Sequence, residues 1–167
     1  MTQEHAEQPP TAVPMLLQEL TVELGRFAQG FGRRHRMHQT DVDALGHLSV
    51  AEQRGEAMTP SRLAASLDLS APATSALLHR LEDTGHVVRE PDPDDGRRQL
   101  LHLQPTAREL ATEYFGPLAA SLSRSLEGMT PDEVAVVEGW LARAVTATRD
   151  AAAQVSRPDD PPARGGR

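Results

Sequence analysis

The run from Ser70 to Leu81 (SAPATSALLHRL) separates into two kinds of residue by position. Thr74, Leu77, Leu78 and Leu81 recur at intervals of three and four, the spacing of one face of a helix. Pro72, Ala73, Ser75, Ala76 and His79 then point the other way. That outer face is small and nearly apolar. Ala73 and Ala76 can touch methyl groups, Ser75 can hydrogen-bond a base or a phosphate, and His79 can donate to an acceptor. No Arg, Asn or Gln lies on it for two-pronged reading of a base edge. Cations flank it instead. Arg62 and Arg80 are the candidate phosphate contacts beside it, and Ser70 stands at its N-terminal end. Further along, Arg97 and Arg98 follow Asp95 and Gly96 in a turn-rich stretch, where a protruding arginine suits a narrow, electronegative groove. Asp95 can orient the Arg97 guanidinium or cap the turn.

Other chemistries find no support. The sequence contains no nucleophile elbow, phosphate-binding loop, dinucleotide fingerprint or HExxH pair, so no enzymatic activity is expected. It has no cysteine, which excludes disulfides, thiolate zinc sites and thiol-based oxidant sensing. His35, His38, Asp41 and His47 are of ligand type, but they straddle a helix boundary and form no compact motif. No metal and no cofactor is expected. Asp92, Asp94 and Asp95 lack the spacing of a calcium loop and read as a charged turn.

The elements that must position these residues follow from period and punctuation. Leu16, Leu20, Leu24, Phe27 and Phe31 predict a helix from Val13 to about Arg36, with Arg33, Arg34 and Arg36 at its C-terminal end. A second helix is expected after Thr40 as N-cap, with Val42, Leu45 and Leu48 inward. Thr59 and Pro60 open a short third helix carrying Leu63, Ala64 and Leu67. Asp68-Leu69-Ser70 makes a tight turn into the fourth helix, which Gly85 ends. Strands are expected over 86–89 and 97–103, joined by the loop EPDPDDG. A long helix follows from Pro105 to about Glu127, kinked or divided at Gly116-Pro117. Thr130-Pro131-Asp132-Glu133 starts the last helix, with Val134, Val137, Leu141 and Val145 on one side. Short helix, tight turn, amphipathic helix and hairpin in succession make a winged helix-turn-helix, within a mainly α fold carrying a two-stranded β-wing.

Bulk composition sets the bounds. Hydrophobic residues make up 38% and aromatics 3%, namely Phe27, Phe31, Tyr114, Phe115 and Trp140, so Leu, Val and Ala must build the core and a partner subunit is needed for full burial. The alternative function, bulk coating of nucleic acid without sequence specificity, is disfavoured by the net charge of −7. All 17 basic residues are arginine. Residues 1–12 and 156–167 read as disordered tails by composition. The N-terminus has no signal-peptide pattern and no segment reaches the length of about 18 apolar residues of a membrane helix, so a cytoplasmic protein that does not enter membranes is expected.

The stretch TPSRLAASLDLSAPATSALLHRLEDTGHVVREPDPDDGRRQLLHLQPTAREL resembles the core of the MarR (multiple antibiotic resistance regulator) family. The short helix around RLAASL, the helix running to HRLEDTGHV, Arg89, the wing signature Asp95-Gly96-Arg97-Arg98 and the LQPT that follows carry the likeness, and TDVDALGHL is similar to that family's second helix. The resemblance covers residues 15–150. It implies a homodimer joined through helices at 13–36 and 105–155, a DNA-binding lobe over 40–104, and control by a small aromatic or anionic effector lodged between stem and lobe. Phe27, Phe31, Met37 and His38, between the first two helices, are the residues expected to line such a pocket, with the two Phe side chains as dimer core the equal alternative. The double-stranded DNA partner would be a pseudo-palindromic operator, bound most simply for repression. Pro72 and Ala76 depart from the polar or basic residues common at the groove face in this family.

Overall fold

The computed structural model describes residues 12–155. They pack as two units that divide between Gly116 and Pro117. The elements run α1 (Val13–His35), α2 (Gln39–Gln53), α3 (Pro60–Leu67), α4 (Ala71–Asp83), β1 (Val87–Pro91), β2 (Gln99–Leu103), α5 (Pro105–Arg124) and α6 (Pro131–Val155). The fold is mainly helical, with one antiparallel pair of strands forming the wing.

The first unit has a compact leucine core. Leu63, Leu77, Leu78 and Leu81 are its largest fully buried side chains, so α3 and α4 meet through the residues their periods assign inward. Ala44, Leu48 and Ala51 of α2, Val87 and Leu101 and Leu103 of the strands, and Ala107 of α5 close around them. Each helix end is fixed locally. Thr59 accepts from the Arg62 amide at 3.2 Å and Ser70 from the Ala73 amide at 3.4 Å, which settles the starts of α3 and α4. Asp68 takes a left-handed φ of 51° and turns the chain between them. At the end of α4, Gly85 adopts φ 68°. Its amide reaches the Glu82 carbonyl at 2.9 Å, while the His86 amide reaches that of Leu81 at 2.8 Å. This Schellman closure redirects the chain straight into β1.

Three boundaries differ from the sequence expectation. Helix α2 begins at Gln39 with His38, not Thr40, as its N-cap. The reason lies in Asp41, whose carboxylate accepts from the His38 amide at 3.2 Å and so closes the helix start two residues early. The strands are shifted as well, to Val87–Pro91 and Gln99–Leu103. Arg97 and Arg98 therefore sit in the connecting turn, because Asp92 N–H bonds the Arg98 carbonyl at 3.0 Å and Arg98 N–H the Asp95 carbonyl at 2.8 Å. The ladder pairs Val87 with Leu103 and Pro91 with Gln99, and Pro91 is tolerated because it stands at a strand end. Finally, α5 is one continuous helix with Pro117 inside it, ending at Arg124. Gly116-Pro117 marks the boundary between packing units rather than a break in the helix.

The second unit comprises the end of α5 and α6. Helix α6 starts with a complete capping box: Thr130 N–H donates to Glu133 at 2.8 Å and Glu133 N–H to Thr130 Oγ1 at 3.3 Å. None of its residues is buried within the single chain, and Val136, Leu141 and Val145 are exposed. In the first unit, Leu16, Leu20 and Leu24 of α1, which share one face by their spacing, are likewise exposed; in that row only Phe31 is buried. The segments 1–11 and 156–167, read as tails from composition, lie outside the described residues.

Candidate nucleic-acid interface

Helix α4 presents Pro72, Ala73, Ser75, Ala76 and His79 to solvent while Thr74, Leu77, Leu78 and Leu81 are buried. The outer face is thus shallow and carries neither a carboxylate nor an arginine, with the N-terminal half of the helix free of bulky side chains. The Ser70 hydroxyl oxygen is occupied by the Ala73 amide, which leaves its proton to donate outward.

The flanking arginines divide into committed and uncommitted. Arg62 donates to the Ala57 carbonyl at 2.8 Å and pairs with the Glu56 carboxylate, clamping the loop that leads into α3. Arg80 reaches across to Asp41 of α2 at 2.6 Å. Its side chain is only partly exposed, and the Asp41 carboxylate is buried. Arg89, in β1, grips Glu82 of α4 through two 2.8 Å hydrogen bonds. Among the described residues, Arg97 alone of the wing arginines makes no side-chain contact with a carboxylate: its guanidinium is exposed at the tip. Arg98 stands 3.5 Å from Asp92.

The wing tip is organised by two aspartates. Asp95 Oδ1 accepts the Arg97 amide at 3.1 Å, so of the two roles open to it in the sequence it caps the turn. Asp92, read from sequence as part of a charged turn, is buried; it accepts the Asp94 amide at 2.9 Å and faces Arg98. The signal for this was the Asp92–Asp94 spacing, that of an Asx turn.

The residues expected to line an effector pocket separate. Phe27 and Phe31 both pack on Tyr114 of α5, with ring centroids 4.2 and 3.9 Å away, and His35 and Phe115 complete the aromatic cluster. The Tyr114 hydroxyl is buried with no partner among the described residues, and burial pushes its pKa up to about 12. Met37 instead leans on the leucine core, and His38 is exposed at the start of α2. The cluster therefore joins α1 to α5 rather than α1 to α2. Tyr114 and Phe115 escaped the sequence reading because they lie more than eighty residues from Phe27. A cavity of about 290 Å³ opens elsewhere, lined by Leu48, Glu52, Met58, Leu101 and His102 among others.

A model of the MarR family matches residues 37–98, which span α2 through the wing tip. The HTH-type transcriptional regulator YcgE of Bacillus subtilis is 31% identical over 113 residues, 64% of this chain and 73% of the relative. An HTH-type transcriptional regulator of Mycobacterium tuberculosis, MT0903.1, is 27% identical over 117 residues, covering 66% of this chain and 81% of the relative. Among solved structures, a Q18P mutant of Staphylococcus aureus MepR superposes with a TM-score of 0.70 at 18% identity, over 84% of this chain and 99% of that one. MepR in complex with DNA matches with a TM-score of 0.53 at 18% identity, over 81% of this chain and 98% of that one. MepR bound to ethidium bromide matches with a TM-score of 0.55 at 18% identity, over 81% and 95%. At that identity these structures establish the fold. No helix among the described residues is long and apolar enough to cross a membrane.

Proposed function

This chain belongs to the MarR family of transcriptional regulators, and from that premise we propose that it acts in the cytoplasm as a homodimeric repressor, released from its operator by a small aromatic or anionic effector. It is a DNA-binding regulator and not an enzyme. The observation that carries the specific reading is the pairing of an exposed, shallow α4 face without carboxylates with a single uncommitted arginine at the wing tip. In this reading Ser70, Pro72, Ala73, Ser75, Ala76 and His79 meet the major groove, and Arg97 enters the adjoining minor groove. Arg62, whose partner Glu56 is itself exposed, and Arg98, which stands 3.5 Å from Asp92, supply phosphate contacts at the rim. Affinity then rests more on phosphates and DNA shape than on bidentate base contacts.

Dimerisation is supported by the exposed apolar residues of α1 and α6, which a single chain leaves in water. Two copies would set their α4 helices in successive major grooves, about 34 Å apart. Effector control is supported by the aromatic cluster around Tyr114, where an unpartnered buried hydroxyl can donate to a carboxylate or phenolate. Such a ligand lowers operator affinity only to the extent that it binds the DNA-free arrangement better. The test is binding of the purified protein to duplexes from its own upstream region against random competitor. Competitor-resistant binding supports the reading, and indifference to sequence contradicts it.

A further inference from the structure

We propose that Asp41 limits the electrostatic part of DNA affinity: by holding the Arg80 guanidinium at 2.6 Å it withholds a cation from sequence-independent contact with phosphate. The inference rests on the reading of α4 as the DNA-facing helix. Arg80 follows His79 and stands one turn after Ala76, both of which are exposed on that face. A long cation at such a position is within reach of the backbone bordering the groove, whatever its sequence.

The geometry ties it to α2. Its Nε is buried with no partner among the described residues, while the side chain as a whole stays 41% exposed, so the Nε edge of the guanidinium lies against the protein and Nη2 holds Asp41. The Asp41 side chain is 8% exposed and among the described residues accepts from two donors, the Arg80 Nη2 and the His38 amide at 3.2 Å. If a phosphate captured Arg80, Asp41 would be left as a buried carboxylate with a single amide donor, a strongly unfavourable state. Phosphates alone therefore do not recruit Arg80. A phosphate contact adds to affinity for every duplex alike, so an occupied Arg80 lowers binding to specific and random duplexes together without touching base reading. In a chain of net charge −7, where few arginines near α4 are uncommitted, one added cation is a large change.

The experiment measures affinity for an upstream duplex and a random-sequence duplex across a salt series, using full-length wild type, Asp41→Asn, and Asp41→Asn/Arg80→Gln. Asn keeps the shape and can still accept from the His38 amide. With Asp41→Asn the proposal expects several-fold tighter binding to both duplexes. The slope of log K against log salt should steepen by about 0.9, the value of one phosphate contact. The double variant should return to the wild-type slope. An unchanged slope in folded Asp41→Asn overturns the proposal, as does a double variant whose slope is shallower than wild type by about 0.9, since Arg80 would then already touch phosphate. Should circular dichroism show Asp41→Asn to be unfolded, the double variant decides by the same criterion. Absence of salt-dependent binding by wild type to either duplex is a separate result, and it removes the reading of α4 as well.

Discussion

Arg89 in the first wing strand holds Glu82 near the end of α4 through two hydrogen bonds of 2.8 Å, one from Nε and one from Nη2. This planar fork fixes the direction in which the wing leaves α4. Both side chains are a little over one quarter exposed, so water weakens the pair only in part. Arg89→Ala is expected to lower stability by about 1–2 kcal/mol, as for other charge-assisted hydrogen bonds. Arg89→Lys should recover the charge but not the fork, and a urea denaturation series on the three proteins measures the difference. Footprinting of Arg89→Ala on DNA should show weaker protection where the wing sits, with the protection due to α4 retained.

Arg97→Ala tests the wing tip by itself. The side chain is exposed and has no partner among the described residues, so the thermal midpoint should stay unchanged. Operator affinity should fall at least tenfold, and the salt slope should shrink by about 1. A variant that binds as tightly as wild type removes the wing from DNA recognition.

Ala76→Glu places a negative charge in the middle of the exposed α4 face. Because Ala76 is exposed and Glu is a good helix former, the fold should survive, as the far-ultraviolet spectrum would show. Binding should be lost by two orders of magnitude or more, since the carboxylate meets the electronegative groove. Retained binding would mean that another face of the molecule reads DNA.

Tyr114 gives a prediction at alkaline pH. Its phenol is pushed up to about 12 by burial, against an ordinary value near 10. The folded state therefore favours the neutral form. That contribution is complete below pH 10 and is lost as pH rises from there through about 12, so stability should decline over that window. Tyr114→Phe should flatten the decline and cost little at pH 7, because the hydroxyl it removes has no partner among the described residues. Ultraviolet titration of the phenolate together with denaturation at several pH values checks both points.

What could be read from sequence follows the range of the interaction. The inward and outward faces of α4, its Ser70 cap, the Gly85 stop and the Thr130–Glu133 capping box are set by neighbours within a few residues, and they stand in the structure where the spacing puts them. The start of α2 was displaced because Asp41 competes with Thr40 for the capping role, a contest decided by geometry. The partner of Arg80 was hidden for a different reason. Glu82 and Asp83 are adjacent in sequence, yet Asp41, 39 residues away, holds the guanidinium. The exposed leucines of α1 show a further limit: periodicity reveals that a face is apolar but not whether its own chain or another covers it.

The most direct measurement is hydroxyl-radical footprinting of the protein on its own upstream DNA with excess random duplex present. Two protected tracts of equal strength, related by two-fold symmetry and centred about 34 Å apart, are the predicted result. Protection that disappears under competitor, or a single tract with no symmetry mate, would contradict a dimeric regulator that reads sequence through α4 and Arg97.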